Sequence, residues 1–359
     1  MADKYSIIII GGGIFGLTNA IILAEKGHKV TVVEKNYDVL LEASMVNQNR
    51  IHLGYHYPRS LQTGKESIKG LESFKDMYGD CIVGDFKKYY AIAKNGSHTD
   101  TQGFIDFCKA LKLPLKKGFP DKKILNRNLV DECWITPETI FDYFKLRQNI
   151  IYRIRENKNI RIIRNAYPRR ITLGSPVTVE LNNNYKLTGD FVINATYSGI
   201  SEMSRMIDGK EIPAQAELCV MPILQMSKPP DAFGVTIMDG PFCSLMPKGL
   251  SHGEFILYHV TYSVLQNHKG SNRTGWDPFD GLVEFELMEQ AQRFFPIIKD
   301  MKWKESWITT RVVLPEQELD DARPTLLIKH TPNIFTIFSG KLTTCVDSAY
   351  NVLEEIEKT

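Results

Sequence analysis

Apolar and polar positions alternate in blocks over the first 34 residues, and these blocks predict a strand, a turn, a helix and a second strand. Residues 6–10 form a short apolar run, and three consecutive glycines follow at 11–13. A short apolar run that ends in a turn signal is typical of a buried strand. A helix is predicted over 17–26, because Gly27 suits the position after a helix, and residues 30–33 predict the next strand.

The same region, residues 6–24, carries no charge and is long enough to resemble a membrane span or a signal peptide. Three consecutive glycines and the immediate return to a strand favour a turn in a globular domain instead. No other stretch of the sequence is long and apolar enough to cross a bilayer. We therefore expect no transmembrane segment.

Beyond residue 60, the spacing of apolar residues predicts helices that alternate with strands. One helix is predicted to start within 134–138, with Thr136 as its N-cap and Pro137 in its first turn, and to run to about residue 156. The other predicted helices span 62–79, 99–113, 282–295 and 344–355. The predicted strands lie within 81–93, 160–163, 170–173, 177–181, 191–196, 217–227, 233–238, 254–263, 307–314 and 334–338.

The order of these elements predicts an α/β protein of about two domains, as expected for 359 residues. A strand-helix-strand start, an antiparallel middle and a final strand-glycine-helix segment indicate that the first domain is discontinuous. We assign this first domain to residues 1–80, 150–210 and 320–359. A mainly antiparallel α+β substrate domain is assigned to the inserted residues 81–149 and 211–319.

Composition narrows the classes of function. The net charge is +2 and the basic residues are scattered, so nucleic acid binding is not expected. The six cysteines are widely spaced and form no C-x-x-C, which favours reduced, buried thiols in a cytoplasmic protein. His52 and His56 stand four positions apart, but no Cys, Asp or Glu nearby offers a third ligand, so no metal site is predicted.

The glycines at positions 11, 13 and 16 carry the first chemical prediction. When G-x-G-x-x-G joins a strand to a helix, Gly11 allows the tight turn, Gly13 lets a pyrophosphate approach, and Gly16 lets the helix pack on the strand. The helix N-terminus then offers N–H groups to the phosphates. Glu34 lies 18 residues after Gly16, at the end of the second strand, where a carboxylate can accept bonds from ribose hydroxyls. A dinucleotide cofactor is therefore predicted.

Four segments in this order resemble the D-amino-acid oxidase-like superfamily of FAD-dependent oxidoreductases, nearest to its L-2-hydroxyglutarate oxidase and glycerol-3-phosphate dehydrogenase branches. The first is the unit 11–34, and the second is 47–55, Asn-Gln-Asn-Arg-Ile-His-Leu-Gly-Tyr, similar to a family segment that passes the flavin. The third is the strand 190–196, which ends in Ala-Thr, although Tyr197 stands where the family has glycine. The fourth joins Ala-Arg-Pro at 322–324 to Ser-Gly-Lys-Leu-Thr-Thr at 339–344.

This resemblance implies a Rossmann-like FAD-binding domain with a glutathione-reductase-like start, and FAD as the cofactor. It also implies that the Gly340–Lys341 turn sets backbone N–H groups and a helix N-terminus beside the flavin ring. The residues expected to contact FAD are Gly11, Gly13, Ile14, Phe15, Gly16, Glu34, Lys35, Asn49, Arg50, Ala195, Thr196, Gly340, Lys341, Leu342 and Thr343.

A flavin accepts a hydride at N5 from a C–H bond beside a heteroatom, and the protein positions that carbon. The resemblance therefore implies oxidation of a CH–OH or CH–NH bond in a small substrate, with electrons passed on to oxygen or another acceptor. An alcohol needs a base for its hydroxyl proton, and His52 is the first candidate and His56 the second.

Substrates of this family carry a carboxylate or a phosphate, so an anionic substrate and an arginine that binds it are expected. Arg323 is the first candidate, by its resemblance to the family Arg-Pro segment, and the alternatives are Arg50, Arg59 and Arg311. Alternation along 255–262 places Tyr258 and Tyr262 on one face of a strand, and Tyr258 is a candidate substrate contact.

Three other interpretations stay open at this point. The chain could be a tailoring oxidase of a biosynthetic intermediate such as an amino sugar, since residues 47–60 match no familiar branch cleanly. It could be a flavin-binding protein without catalytic function. An NAD-dependent dehydrogenase is the third, because Glu34 suits either ribose, although a simple NAD domain has no need of the return to the cofactor at Gly340–Lys341.

Overall fold

The computed structural model describes residues 4–269, 276–278, 281–315 and 324–359. Its α-helices are α1 (Ile14–Glu25), α2 (Leu61–Tyr78), α3 (Thr101–Ala110), α4 (Tyr143–Glu156), α5 (Ile200–Asp208), α6 (Val283–Gln292) and α7 (Cys345–Glu357). The first half of the strands comprises β1 (Ser6–Ile10), β2 (Lys29–Val33), β3 (Arg50–Ile51), β4 (Ile82–Val83), β5 (Lys87–Ala93), β6 (Lys116–Lys117), β7 (Val130–Thr136), β8 (Thr139–Phe141), β9 (Ile160–Ile163), β10 (Pro168–Thr172) and β11 (Val177–Leu181). The second half comprises β12 (Lys186–Gly189), β13 (Phe191–Asn194), β14 (Gln215–Gln225), β15 (Phe233–Met238), β16 (Cys243–Pro247), β17 (Glu254–His259), β18 (Val264–Lys269), β19 (Lys302–Val313), β20 (Leu326–Thr331) and β21 (Ile334–Phe338).

A parallel sheet joins strands that are far apart in the sequence. Its order is β20-β21-β13-β1-β2-β9, and only β20 runs antiparallel to its neighbour. Strand β1 forms its centre because Ile7, Ile8, Ile9 and Ile10 are all buried, as expected for a strand covered on both faces. The carboxyl ends of β1, β2, β13 and β21 therefore meet at one edge, which is where ligands bind in open α/β sheets.

The two faces of the parallel sheet are covered by different layers. Ile7 and Ile9 pack into a core with α1, α4 and α7, whereas Ile8 and Ile10 pack against the antiparallel sheet β10-β11-β12. The alternation of β1 thus divides its side chains between two cores. Helix α4 belongs to the first core and crosses the limit at residue 150 that we assigned between domains, and the domain boundaries stay a prediction.

A larger and mostly antiparallel sheet forms the second part of the molecule. Its order is β18-β14-β17-β16-β15-β5-β7-β6, and β19 pairs with the other edge of β14 along its whole length. Helix α6 packs on one face of this sheet, within the apolar core that includes Leu287 and Ala291. A third, small sheet has the order β3-β8-β4. It pairs β3, which carries Arg50, with β8, the strand that follows β7 of the larger sheet in the sequence.

Most of the predicted elements are confirmed, but the helix predicted from residue 136 is wrong. Residues 130–136 form β7, which pairs with β5 and keeps Thr136 in the sheet. The helix begins at Tyr143, where the Asp142 side chain accepts a hydrogen bond from Lys145 N at 2.9 Å. Pairing with β5 overrides the local capping signal of Thr136 and Pro137, and Asp142 supplies the N-cap instead.

The uncharged stretch of residues 6–24 divides into β1, the glycine turn and α1. In the described residues, no helix is long and apolar enough to cross a membrane. All six cysteines are buried and unpaired, which confirms the prediction of buried, reduced thiols.

The glycine turn holds β1, α1 and β13 at close distances. Gly11 has a φ of +108°, and a Cβ there would lie 2.5 Å from the Ala195 carbonyl oxygen. A Cβ on Gly16 would lie 1.9 Å from the carbonyl oxygen of Gly11. Each of these positions therefore needs glycine to let backbone approach backbone.

We predict that Gly16→Ala destabilises the protein by about 3 kcal/mol, because the clashing atom is backbone and cannot move aside as a side chain can. Urea unfolding followed by circular dichroism measures the loss. The matched control is Gly79→Ala at the end of α2, where a Cβ meets nothing within 4 Å. Equal stability of the two variants would contradict the close approach at Gly16.

Candidate active site

A cavity of about 1090 Å³ lies where the carboxyl edge of the parallel sheet faces the larger sheet. The predicted cofactor residues that line it are Gly11, Gly13, Ile14, Phe15, Glu34, Lys35, Arg50, Ala195, Thr196, Gly340, Lys341, Leu342 and Thr343. The candidates His52, His56 and Tyr258 line the same cavity.

Two of the predicted residues do not line the cavity, and a third lies outside the described residues. Gly16 lies behind the turn, where it contacts Gly11. Asn49 is buried, and its side-chain amide donates to the Phe141 carbonyl at 3.2 Å, so its part is to hold the segment that carries Arg50. Arg323, the first candidate for binding the substrate anion, lies outside the described residues.

The amino end of α1 is open toward the cavity. Gly13 is its N-cap and has no side chain to bond the first N–H groups, and no acidic residue occupies the first turn. Ile14 N donates to Ser44 Oγ at 3.0 Å, a contact that the sequence did not predict because Ser44 lies 30 residues away in a 3₁₀ turn. The remaining N–H groups and the helix dipole favour an anionic group at this point.

Glu34 ends β2 with its carboxylate already oriented. One oxygen, Oε2, accepts from Gly12 N at 2.7 Å, and the other, Oε1, accepts from Asn36 N at 2.8 Å. Each oxygen keeps a lone pair for another donor. The Lys35 ammonium pairs with Glu42 at 2.9 Å. This geometry suits the ribose-binding role that we predicted for Glu34.

Tyr197 follows Ala195 and Thr196 at the position where the family pattern has glycine. Its φ is +50°, a left-handed conformation that favours glycine. Its hydroxyl accepts a hydrogen bond from Val312 N in β19 at 3.0 Å. Thr196 is held separately, since its N–H and its hydroxyl both donate to Asn194 Oδ1. Tyr197 therefore connects the turn after β13 to the larger sheet.

The turn after β21 returns to the cavity, as the resemblance implied, but two of its groups are already engaged. Gly340 N donates to Thr325 Oγ1 at 3.0 Å, so this N–H does not face a cofactor. The Lys341 ammonium donates to Thr63 O at 2.9 Å and to Ser67 Oγ, and it lies 4.0 Å from the centre of the Tyr57 ring. Lys341 therefore fastens the turn to the start of α2.

His52 lies at the boundary between the cavity and the protein interior. Its Nδ1 atom is buried, has no hydrogen-bond partner in the described part of the chain, and lies 4.0 Å from Glu138 Oε2. Burial, followed by the nearby charges of Arg50 and His56, holds the pKa of His52 well below the ordinary histidine range. The imidazole is therefore neutral near pH 7 and can accept a proton.

Glu138 is a buried carboxylate that sequence reasoning missed. It accepts from Tyr90 OH at 2.6 Å, from Arg50 Nη2 at 3.2 Å and from Leu53 N at 3.2 Å. Its side chain has no exposed surface. These contacts fix the segment 50–53, and with it His52, against the larger sheet. The only sequence signal was an acidic residue beside the turn Thr136–Pro137, which we assigned to a helix.

Arg311, Glu217 and Tyr258 form a cluster on the face of the larger sheet that lines the cavity. Glu217 of β14 stands directly opposite Arg311 of β19 in the antiparallel register. Arg311 Nε donates to Glu217 Oε2 at 2.6 Å, and Arg311 Nη1 donates to Tyr258 OH at 3.0 Å. Tyr262 lies in the turn after β17, so the prediction that it shares a strand face with Tyr258 is wrong.

The groups along this edge of the cavity suit a dinucleotide. The N-terminus of α1 keeps N–H groups beyond the one bonded to Ser44, and these suit the pyrophosphate, while the Glu34 carboxylate at the end of β2 suits the ribose. The turns at Ala195–Thr196 and Leu342–Thr343 lie on the same edge and would contact the rest of the cofactor. The residues present therefore fit the cofactor that the resemblance implied.

The chain belongs to the family of FAD-dependent oxidoreductases. The family model described as "FAD dependent oxidoreductase" matches residues 6–339. The protein is accordingly an FAD-dependent oxidoreductase, which confirms the predicted enzyme class, fold class and cofactor.

The relatives of this chain include one named as a monooxygenase and one named as a dehydrogenase. The chain is 24% identical over 367 residues to "FAD-dependent monooxygenase FPY4" of Fusarium mangiferae, covering 99% of this chain and 92% of that protein. It is 44% identical to "D-amino acid dehydrogenase 1" of Mesorhizobium japonicum over 52 residues, 14% of this chain and 12% of that protein.

Two solved structures share the fold over nearly the whole chain. Glycine oxidase from Geobacillus kaustophilus superposes with a TM-score of 0.78 at 13% identity, covering 99% of this chain and 95% of that one. L-alpha-glycerophosphate oxidase from Mycoplasma pneumoniae, with FAD bound, gives a TM-score of 0.78 at 15% identity with the same coverage.

We predict that Gly13→Val yields folded protein without FAD, because a branched side chain would occupy the approach to the open end of α1. The measurement is the ratio of visible flavin absorbance to protein absorbance after purification and incubation with FAD. Gly79→Val, on the exposed end of α2, is the control and should stay yellow. A yellow Gly13→Val protein would exclude Gly13 from the cofactor site.

Proposed function

We propose that this enzyme oxidises a CH–OH or CH–NH bond of a small polar substrate that binds between the cofactor edge and the larger sheet. One observation carries the proposal: His52 and the Arg311–Tyr258 cluster line the same cavity as the predicted cofactor residues. A potential base and a polar substrate contact therefore lie together beside the cofactor edge. FAD, when bound, supplies the acceptor for a hydride.

Oxidation of an alcohol breaks one C–H and one O–H bond and forms a carbonyl. The hydrogen on carbon leaves with its electron pair, and the hydroxyl proton needs a base on the protein. The lowered pKa of His52 leaves its imidazole unprotonated at pH 7, which is the form that a base requires. An amine substrate needs no such base, since the neutral amine can react directly.

The electron acceptor stays a prediction, as do the cytoplasmic location and the absence of nucleic acid partners. Oxygen is one acceptor to test, because similar proteins are named as monooxygenases and oxidases. Oxidation of a biosynthetic intermediate such as an amino sugar stays open within this function, since it uses the same bond types. Because the chain belongs to a family of oxidoreductases, we do not propose a non-catalytic flavin-binding protein.

We predict that His52→Gln slows reduction of the flavin by an alcohol roughly 100-fold or more at pH 7, because the proton acceptor is lost. In the wild type, the rate should fall only as the pH drops well below 6.5, since the pKa of His52 is lowered and its base form persists above that pKa. Anaerobic stopped-flow spectroscopy across pH measures both effects.

His56→Gln separates the two candidate bases, whose rings lie 5.5 Å apart. If this variant loses the acid limb of the pH profile while His52→Gln retains it, the base is His56 and not His52. An unchanged profile in both variants would exclude a histidine base and favour an amine substrate.

A further inference from the structure

Every arginine that lines the cavity in the described part of the chain has a carboxylate beside it. The pairs are Arg50 with Glu138 at 3.2 Å, Arg59 with Asp239 at 2.9 Å, and Arg311 with Glu217 at 2.5 Å. A cavity built for a carboxylate or a phosphate should instead present a guanidinium whose charge is free to pair with the ligand. The arrangement thus differs from the expectation of an anionic substrate.

The pair of Glu217 and Arg311 shows the consequence in detail. Arg311 uses Nε and Nη2 on Glu217 Oε2, and Nη1 on Tyr258 OH. A guanidinium has more N–H donors than these contacts use, so Arg311 still has donors to offer while its charge is compensated. The Glu217 carboxylate likewise keeps lone pairs, although Oε1 accepts from Gln215 Nε2 at 3.1 Å.

A second anion at this position would lie close to the buried carboxylate of Glu217, which is 7% exposed. Two carboxylates in a partly dehydrated site repel each other, which lowers the affinity for a ligand that brings the second one. A hydroxyl group meets no such penalty. It can accept from the unused N–H of Arg311 and donate to Glu217 at the same time.

We propose that the substrate is a neutral hydroxylated molecule, a polyol or a sugar, and that Glu217 sets this preference by compensating the charge of Arg311. This inference rests on the proposed function and selects its CH–OH branch. Arg59 and Asp239 extend the same pairing along the cavity, where the Asp239 carboxylate also accepts from Thr99 Oγ1 at 2.8 Å. At Arg311 and at Arg59 the cavity thus presents donors beside acceptors, as a ligand rich in hydroxyl groups requires.

The test compares neutral and anionic partners of the same carbon skeleton. Holoenzyme is mixed without oxygen with glycerol or glycerol 3-phosphate, and with D-glucose or D-glucuronate, and bleaching of the flavin gives the rate and Kd. At least one neutral compound should reduce the flavin about tenfold more efficiently than its anionic partner, because the anion lies beside Glu217. A preference for the anionic partner in both pairs overturns the proposal.

The variant Glu217→Gln removes the negative charge and keeps the shape. It should shift the ratio of neutral to anionic efficiency by about tenfold or more toward the anion, since Arg311 is then uncompensated. The matched control is Glu305→Gln, on the same strand as Arg311 but paired with Lys248 and not among the residues that line the cavity. A ratio that shifts equally in the control, or in neither variant, overturns the role of Glu217.

Failure of the proposed function has a different signature. If dithionite bleaches the flavin but no CH–OH or CH–NH compound does, the proposed oxidation is wrong, and the cavity is tested by binding alone. D-glucose should then perturb the flavin spectrum at lower concentration than D-glucuronate, and the reverse order or no perturbation overturns the inference. Anion binding that Arg323→Ala abolishes would assign the substrate to Arg323 and overturn it as well.

Discussion

The approach of three backbone segments at Gly11 is the constraint on which the cofactor edge depends. The carbonyl of Gly11 lies against Gly16, and Gly11 itself lies against the carbonyl of Ala195. These two contacts set the distance between β1 and α1, and between the glycine turn and the turn after β13. Because Glu34 Oε2 bonds to Gly12 N in the same turn, the carboxylate at the end of β2 is placed by the same contacts. A polar edge of defined shape therefore follows from backbone packing.

The opposite wall of the cavity depends on charge compensation. A buried ion pair pays a desolvation cost that its attraction offsets only when the geometry is good, and removal of one partner typically costs about 3–5 kcal/mol. The charge of Arg50 is compensated by one carboxylate, that of Glu138. The neighbouring Lys88 is fully buried, and its ammonium group contacts Thr236 Oγ1 and Met246 Sδ. The pKa of Lys88 lies well below the ordinary lysine value. Burial is the main cause, and the charge of Arg50 adds to it. Glu138 is thus the carboxylate that compensates Arg50 in this part of the core.

Local signals explain why so much of the cofactor edge could be predicted from the sequence. The glycine turn, its flanking strands and Glu34 follow one another within 30 residues, so spacing alone brings them together. The pairing of arginines with carboxylates could not be predicted in this way, because Glu217 and Arg311 meet only through the register of β14 and β19. The same reason accounts for the wrong helix start at Thr136, where pairing with β5 outweighs a good capping sequence. Glu138, two residues later, was missed for that reason too.

The order of strands in the parallel sheet also has a consequence for synthesis of the protein. Strand β21 lies next to β13, and the turn that follows it lines the cavity opposite residues that belong to the start of the chain. Lys341 must reach Thr63 to fasten this turn. A ribosome therefore releases the glycine turn, β2 and β13 long before the cavity can close around a cofactor. The nascent chain has to keep the apolar edge of β13 out of contact with other chains until residues 334–338 arrive, which makes this interval the point at which a chaperone would be of most use.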